Sequence, residues 1–414
     1  LTLVQLLLIL PGCLLLFFFA PQINDALGWH LEPRLIQVAA IGIVGLLPIS
    51  LGIAMLRGLR RFRALALVSV PTSLATLVTI PIVLRYQSVE MLIAATAIGQ
   101  LFLIPLFIFL IGNSPVERSR ITFPRVPVMW RIMMRYSVLV YLTALVDQIV
   151  WQHSEIFFLG QLSDPAQVGY YSLAYTFPSI VFAVTAVAIT STLTPIYSSS
   201  TDVSGRQHGD LSQLYRRSFS LLNWIVFPSA IGLAIVSPTA ILIFYGEAYI
   251  SVIPILYLVI LSSMMGALSR PSASVLLAIN RPSVLLIITL LVLPLNLGLA
   301  WYLVPRHGAI GAAMANLAAQ SAGATMTIIY ATRAARLRYD WSTIGMNMVG
   351  AAACGASAWL AISFIRMPIL ALLIAIAIGG IVYFIVGIAL KNDTTLMIKS
   401  LAQSKVSQFQ VITE

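Results

Sequence analysis

Two acidic residues, Asp147 and Glu155, lie inside long apolar segments of the sequence and are the first candidates for chemistry. An ionised side chain is costly at membrane depth, so such residues usually face a cavity or the interior of a helix bundle. A carboxylate in that setting can bind a proton or a sodium ion, as a cation-coupled transporter requires. The sequence therefore predicts a coupling-ion site at Asp147, with Glu155 as the second candidate.

Three neighbours extend these two acids into a polar stripe. Asp147, Trp151 and Glu155 follow one another at intervals of four residues, which is the spacing of one helix face. Gln148 and Gln152 flank them. We expect this stripe to face a cavity, although both acids could instead hydrogen-bond to neighbouring helices and hold the bundle together.

The elements that must position these residues are membrane-spanning helices. Hydrophobic residues make up 60% of the chain and charged residues 9%, whereas an ordinary soluble domain carries about 25% charge. A helix needs about 20 apolar residues to cross the hydrocarbon core. Twelve segments meet this requirement, near residues 1–20, 36–56, 64–84, 91–111, 136–159, 168–196, 218–243, 250–269, 283–303, 310–332, 343–365 and 368–390. The predicted fold is an all-α polytopic membrane protein with twelve transmembrane helices.

The basic residues indicate how these helices are oriented. Of the 24 lysines and arginines, 20 fall in loops after the even-numbered spans, and Arg34, Arg85, Arg306 and Arg366 fall on the other side. Positively charged loops remain in the cytoplasm, so both ends of the chain are predicted to be cytoplasmic. The net charge of +11 then reflects topology and attraction to anionic lipid, and no nucleic-acid role is expected.

An internal repeat divides the spans into two sets. Pro11 and Pro228 are 217 residues apart, and Gln100 and Gln320 are 220 residues apart. An offset of six spans is even, so the two sets should be related by an axis along the membrane normal. By this repeat, the first set lacks two helices before Leu1, and we expect part of it to be missing.

Five short segments resemble a known family. They are residues 147–152 (DQIVWQ), 169–175 (GYYSLAY), 244–249 (FYGEAY), 277–282 (LAINRP) and 308–313 (GAIGAA). The chain resembles the polysaccharide flippases that carry O-antigen or exopolysaccharide units. That family belongs to the exporter superfamily that also contains the multidrug and toxin extrusion antiporters and the peptidoglycan lipid flippases.

The resemblance implies two pseudo-symmetric helical lobes around a central cavity, with alternating access. The implied domains are residues 1–112 for the remainder of the first lobe, 113–135 for a cytoplasmic linker, 136–332 for the second lobe, 343–390 for an extra helix pair and 391–414 for a cytoplasmic tail. The first lobe is then truncated.

The implied cargo is a polyprenyl-pyrophosphate-linked oligosaccharide, so the cavity should offer arginine to phosphate and polar groups to sugar. The substrate-binding candidates are Arg270, Trp151, Gln148, Gln152, Arg57 and Arg135. Arg270 is the first choice, because the apolar run continues to Ile279 and would place Arg270 inside a helix. An arginine that reaches back to the interface from a span end is the alternative. Arg57 and Arg135 lie at span ends, where ordinary topology-determining charges also lie.

The predicted function is a flippase of the bacterial cytoplasmic membrane, not an enzyme. A cation-coupled multidrug antiporter and a peptidoglycan precursor flippase are the alternatives, and a scaffold role is less favoured. His30, His153, His208 and His307 are too widely spaced for a metal site, and no cofactor is expected. The expected partners are the lipid-linked oligosaccharide and membrane lipid. Further candidates are a coupling proton or sodium ion, a polysaccharide polymerase and a chain-length regulator.

Overall fold

The computed structural model describes residues 2–27, 32–40, 43, 52–53, 67, 127–148, 154–199 and 211–400. These described residues form helices and turns and contain no strand. The chain forms two compact units, Leu1–Pro124 and Arg125–Glu414. The predicted span at 91–111 lies outside the described residues.

Ten helices with defined bounds are found in this part of the chain. They are α1 (Thr2–Phe18), α2 (Ala20–Leu27), α3 (Pro127–Gln148), α4 (Ser154–Leu162), α5 (Pro165–Ser199), α6 (Leu211–Tyr245), α7 (Val252–Ala278), α8 (Pro282–Ala335), α9 (Trp341–Phe364) and α10 (Pro368–Ala389). Residues 33–40 and 393–400 are also helical. Helix α7 continues beyond the predicted span 250–269 to Ala278, so Arg270 lies inside the helix, as the apolar run to Ile279 indicated.

The longest helix, α8, is bent back on itself at Gly308. This glycine has a φ of 54°, a left-handed conformation that favours a residue without a Cβ. A Cβ on Gly311 would collide with the backbone carbonyl of Leu303, although a straight helix would separate these residues by about 12 Å. The chain therefore reverses here, and α8 has a first arm before Gly308 and a second arm after it.

The helices of the second unit have the character of membrane spans. Five of the described helices, α6 to α10, are long and apolar enough to cross a membrane. On α10, Ile376, Ile381 and Ile385 are 57%, 59% and 58% exposed. Aliphatic side chains directed outward in this way are suited to lipid rather than water. The chain is a multi-pass membrane protein.

Small residues let these helices approach closely. Ala309, Ala312, Ala313, Ala315 and Ala319 on the second arm of α8 are all fully buried. Helix packing in lipid depends on such residues, because they allow van der Waals contact and hydrogen bonds between helices. The second arm can therefore pack tightly against its neighbours in the main core of the unit.

The last two helices, α9 and α10, pack on α6. The side chains of Trp224 and Tyr383 lie 5.5 Å apart between ring centroids, and Cys354 is buried beside them. A Cβ on Gly355 would lie 2.5 Å from Cγ2 of Ile231. Asn392 Nδ2 donates to Asn347 Oδ1 at 2.9 Å, which fixes the end of α10 against α9.

Segments 169–175 and 244–249 contact each other, and Gln167, two residues before the first of them, bonds to segment 308–313. Tyr170 packs edge-on against Tyr249, with 6.1 Å between ring centroids. The backbone N–H of Ala309 donates to Oε1 of Gln167 at 3.0 Å, and Gly308 leaves room for that side chain. The glycine and aromatic residues of these segments thus join α5, α6 and the bend of α8.

Candidate functional site

A cavity of about 230 Å³ lies between α3, α7 and α8. Apolar side chains such as Val140 and Ile288 form part of its wall. Its polar lining side chains are Thr143, Asp147, Ser269, Arg270, Thr289, Gln320 and Thr327. A carboxylate, a guanidinium and an amide therefore share one space among the membrane-spanning helices.

Asp147 lies at the end of α3 and is half-buried. Its Oδ1 accepts a hydrogen bond of 3.0 Å from the hydroxyl of Thr289 on the first arm of α8. The same hydroxyl lies 3.0 Å from the carbonyl of Leu285, one turn earlier. Thr289 therefore orients the carboxylate while Asp147 remains part of the cavity wall.

Arg270 lies inside α7, eight residues before the helix ends at Ala278, or about 12 Å along the axis. Its side chain is exposed and lines the cavity. Ser269 and Ala273 are small and line the same wall. Pro271 follows directly and removes one backbone donor from the helix.

Gly266 and Gln320 lie close together in the wall of this cavity. A Cβ on Gly266 would lie 2.9 Å from Nε2 of Gln320 and 3.3 Å from its Cδ. The amide of Gln320 therefore occupies the space that a side chain at position 266 would need. Glycine at this position places a hydrogen-bonding amide in the same cavity as Arg270.

Glu155 has a different environment, at the start of α4, where it is 0% exposed. Its Oε1 accepts hydrogen bonds from Nδ2 of Asn296 at 3.0 Å and from Nδ2 of Asn316 at 2.9 Å. Its Oε2 accepts one from the hydroxyl of Ser154 at 3.0 Å. Ser262 of α7 donates in turn to Oδ1 of Asn316. This buried polar cluster joins α4, α7 and both arms of α8.

For Glu155, these contacts agree with the alternative that the acid bonds to neighbouring helices. Glu155 lies outside the lining of the cavity that contains Asp147. The physical reason is the bend of α8, which brings Asn296 and Asn316 to the same carboxylate oxygen. In a straight helix these two amides would be about 30 Å apart.

The other predicted site residues are not brought to this cavity. Gln148 and Arg135 are exposed on α3 and do not line it. Trp151, Gln152 and Arg57 lie outside the described residues, and their roles stay predictions.

Thr289 was not among the residues predicted from the sequence. It is buried and donates a hydrogen bond to Asp147. The signal was weak, because a threonine inside an apolar span is common and often bonds to its own helix. In the part of the chain that the structure describes, no three His, Cys, Asp or Glu side chains group as a metal site requires. The arrangement is suited to binding an anionic group beside hydroxyl or amide groups, with one carboxylate close by.

A family model described as polysaccharide biosynthesis protein matches residues 2–254, which is more than half of the chain. No curated protein matches the sequence.

A solved structure of the lipid II flippase MurJ, in its inward closed conformation, is similar in fold. The TM-score is 0.68 at 17% sequence identity, over 94% of this chain and 82% of that one. This similarity shows that the chain has a MurJ-like fold.

Proposed function

The chain belongs to the polysaccharide biosynthesis protein family, and on that premise we propose that it is a flippase for a polyprenyl-pyrophosphate-linked oligosaccharide. The cargo would cross the bacterial cytoplasmic membrane during the synthesis of a surface polysaccharide, an O-antigen or an exopolysaccharide. The MurJ-like fold supports this proposal, because MurJ is named as a flippase of a lipid. In this proposal the protein is a transporter and not an enzyme.

The position of Arg270 is the observation that carries the proposal. A guanidinium inside a membrane-spanning helix and on a cavity wall is suited to a phosphate group that must leave the headgroup region. Gln320 supplies an amide in the same cavity for sugar hydroxyls. A transporter for cationic drugs would gain nothing from the arginine, since the two positive charges would repel each other.

Asp147 is proposed as the coupling group, which binds a proton or a sodium ion. It faces the same cavity as Arg270, so the charge on one can change the affinity of the other for its ligand. Glu155 is given a structural role in this proposal, because three donors already occupy its oxygens. Gln148, Trp151, Gln152, Arg57 and Arg135 remain secondary candidates for contacts with the cargo.

We further propose the larger arrangement in which this cavity works. Twelve spans would form two lobes plus the extra helix pair, with both ends of this chain in the cytoplasm. The cavity would open to each side in turn. The distribution of the 24 basic residues supports the orientation through the positive-inside rule.

Restoration of surface polysaccharide in a strain that lacks its own flippase tests this function. The protein is expressed from its complete gene as the parent, as Arg270→Gln, as Asp147→Asn and as Arg281→Gln. Arg281 is a matched control, because it lies exposed at the turn after α7 and outside the cavity lining. We expect Arg270→Gln to lower export by about tenfold or more, the effect of one lost charge-assisted contact, while Arg281→Gln stays near the parent at equal membrane levels.

Either of two other results would contradict this proposal and favour a different function. If the parent restores no polysaccharide but confers resistance to cationic drugs that depends on Asp147, the protein is a multidrug antiporter. If it instead supports growth of cells depleted of their lipid II flippase, and this depends on Arg270, its cargo is the peptidoglycan precursor.

A further inference from the structure

A second polar cavity, of about 440 Å³, lies at one end of the second unit. Its lining residues are Ser212, Gln213, Arg216, Arg336 and Arg338. It shares no lining residue with the cavity that contains Asp147 and Arg270. We name the three arginines the terminal arginine cluster.

The terminal arginine cluster is built from the start of α6 and the end of α8. Arg336 ends α8 in a left-handed conformation with a φ of 49°, and the N–H of Leu337 donates back to the carbonyl of Thr332 at 3.1 Å. The backbone N–H of Arg338 then donates to the hydroxyl of Ser212 at 3.0 Å. Arg216 follows Ser212 by four residues, so both lie on one face of α6. These contacts fix the arginine-bearing segment against the first turns of α6.

The electrostatics of this cavity favour an anion. Its lining contains three arginines and no acid. Asp340 and Asp393 line an adjoining cavity with Arg216, yet within the described ranges none of the three guanidiniums forms an ion pair. A bound anion would relieve the mutual repulsion of these like charges.

The position of the cluster identifies the kind of anion. Trp341, which begins α9, is 74% exposed and packs against Tyr339 with 5.6 Å between ring centroids. An exposed Trp at the end of a membrane-spanning helix lies at the level of lipid headgroups. Basic pockets between such helix ends are suited to the phosphate groups of anionic lipids.

We propose that Arg216, Arg336 and Arg338 bind the phosphate of an anionic phospholipid that stays at this position and is not the transported cargo. The bound phosphate accepts hydrogen bonds from guanidinium groups of α6 and of the segment after α8. It thereby stabilises the pairing of these two helix ends. The site is separate from the transport cavity, so lipid binding and transport can be tested independently.

Native mass spectrometry of the purified full chain measures this site directly. The first binding constant is determined for phosphatidylglycerol, for phosphatidylcholine and for inorganic phosphate. The variants are Arg336→Gln with Arg338→Gln, and Arg216→Gln with Arg338→Gln, which leaves the left-handed Arg336 in place. The matched control is Arg281→Gln with Lys391→Gln, which removes two exposed positive charges outside the cluster.

We expect both cluster variants to bind phosphatidylglycerol about tenfold more weakly than the parent, because two interfacial arginines are lost. The control should change less than about twofold, and phosphatidylcholine binding should be equal in all four proteins. Equal losses in the control and the cluster variants would overturn the proposal, since net charge alone would explain them. Unchanged phosphatidylglycerol binding in both cluster variants would overturn it as well. Inorganic phosphate that binds the cluster as tightly as phosphatidylglycerol would assign the site to a soluble anion and not to lipid.

Discussion

Asp147 and Glu155 were predicted on one span, yet they belong to two different kinds of site. Glu155 is fully buried, and both of its oxygens accept hydrogen bonds from neutral side chains of α4 and of the two arms of α8. Asp147 is half-buried on a cavity wall that also contains Arg270. One carboxylate thus joins helices, and the other borders open space.

This difference shows how to separate structural from functional acids in a membrane protein. Burial alone does not mark a functional acid, because a carboxylate with its oxygens occupied can hold helices together. A carboxylate beside a cavity can exchange an ion and respond to a ligand there. The variants below test this separation by measuring stability and transport together.

The largest effect is expected from Glu155→Ala, which removes the acceptor of three hydrogen bonds. The amides of Asn296 and Asn316 would then be buried without that partner. We expect a free energy of unfolding lower by about 2 to 3 kcal/mol, since each unmet buried donor is costly. The measurement is the thermal unfolding midpoint of the purified protein in detergent.

Glu155→Gln keeps one carbonyl oxygen and should lose less stability than Glu155→Ala. Glu247→Ala is the control, because Glu247 is exposed in the same unit, and we expect no change from it. If Glu155→Ala unfolds at the same temperature as the parent but no longer transports, Glu155 is a transport residue. The contrast drawn between Glu155 and Asp147 is then wrong.

A smaller effect, on transport rather than stability, is expected from Gly266→Ala. The added Cβ would lie 2.9 Å from Nε2 of Gln320, and the flexible amide would have to move within the cavity. We expect transport to fall roughly threefold, because a displaced binding group weakens the alignment of the cargo. Transport is measured by restoration of surface polysaccharide at equal protein levels.

Gly298→Ala is the matched control for this change. A Cβ on Gly298 would meet nothing within 4 Å, and alanine favours a helix by about 1 kcal/mol over glycine. We expect normal transport and equal or higher stability. Equal transport by Gly266→Ala and Gly298→Ala would show that Gln320 makes no contact that matters.

The smallest effect is expected from Thr289→Val, which keeps the shape of the side chain and removes the donor to Asp147. The carboxylate would remain on the cavity wall but would be less well oriented. We expect a stability loss below about 1 kcal/mol and transport lowered about twofold.

Thr143→Val provides the control, because Thr143 lines the same cavity but donates to the carbonyl of Leu139 in its own helix. A loss of transport in Thr143→Val as large as in Thr289→Val would mean that any hydroxyl in this cavity matters. The specific role of the bond to Asp147 would then be rejected.

Most of the helices in the described part of the chain were predictable, because long apolar runs in a low-charge chain have few alternatives to membrane-spanning helices. The predicted break between residues 303 and 310 is confirmed by the bend of α8 at Gly308. The prediction that Arg270 lies inside a helix is confirmed, because α7 extends beyond residue 269 to Ala278. The sequence pattern shows the polarity of Arg270 but not the empty space beside it.

The sequence by itself determined the class of protein and the residues that are costly to place in lipid, since composition and spacing are local properties. Only the tertiary structure decided which of those residues share a space. Asn296 and Asn316 are 20 positions apart, and the bend of α8 brings both to Glu155, whereas Asp147 and Arg270 meet one cavity from different helices. These contacts depend on how the helices pack against one another, and the sequence of a single segment does not specify that packing.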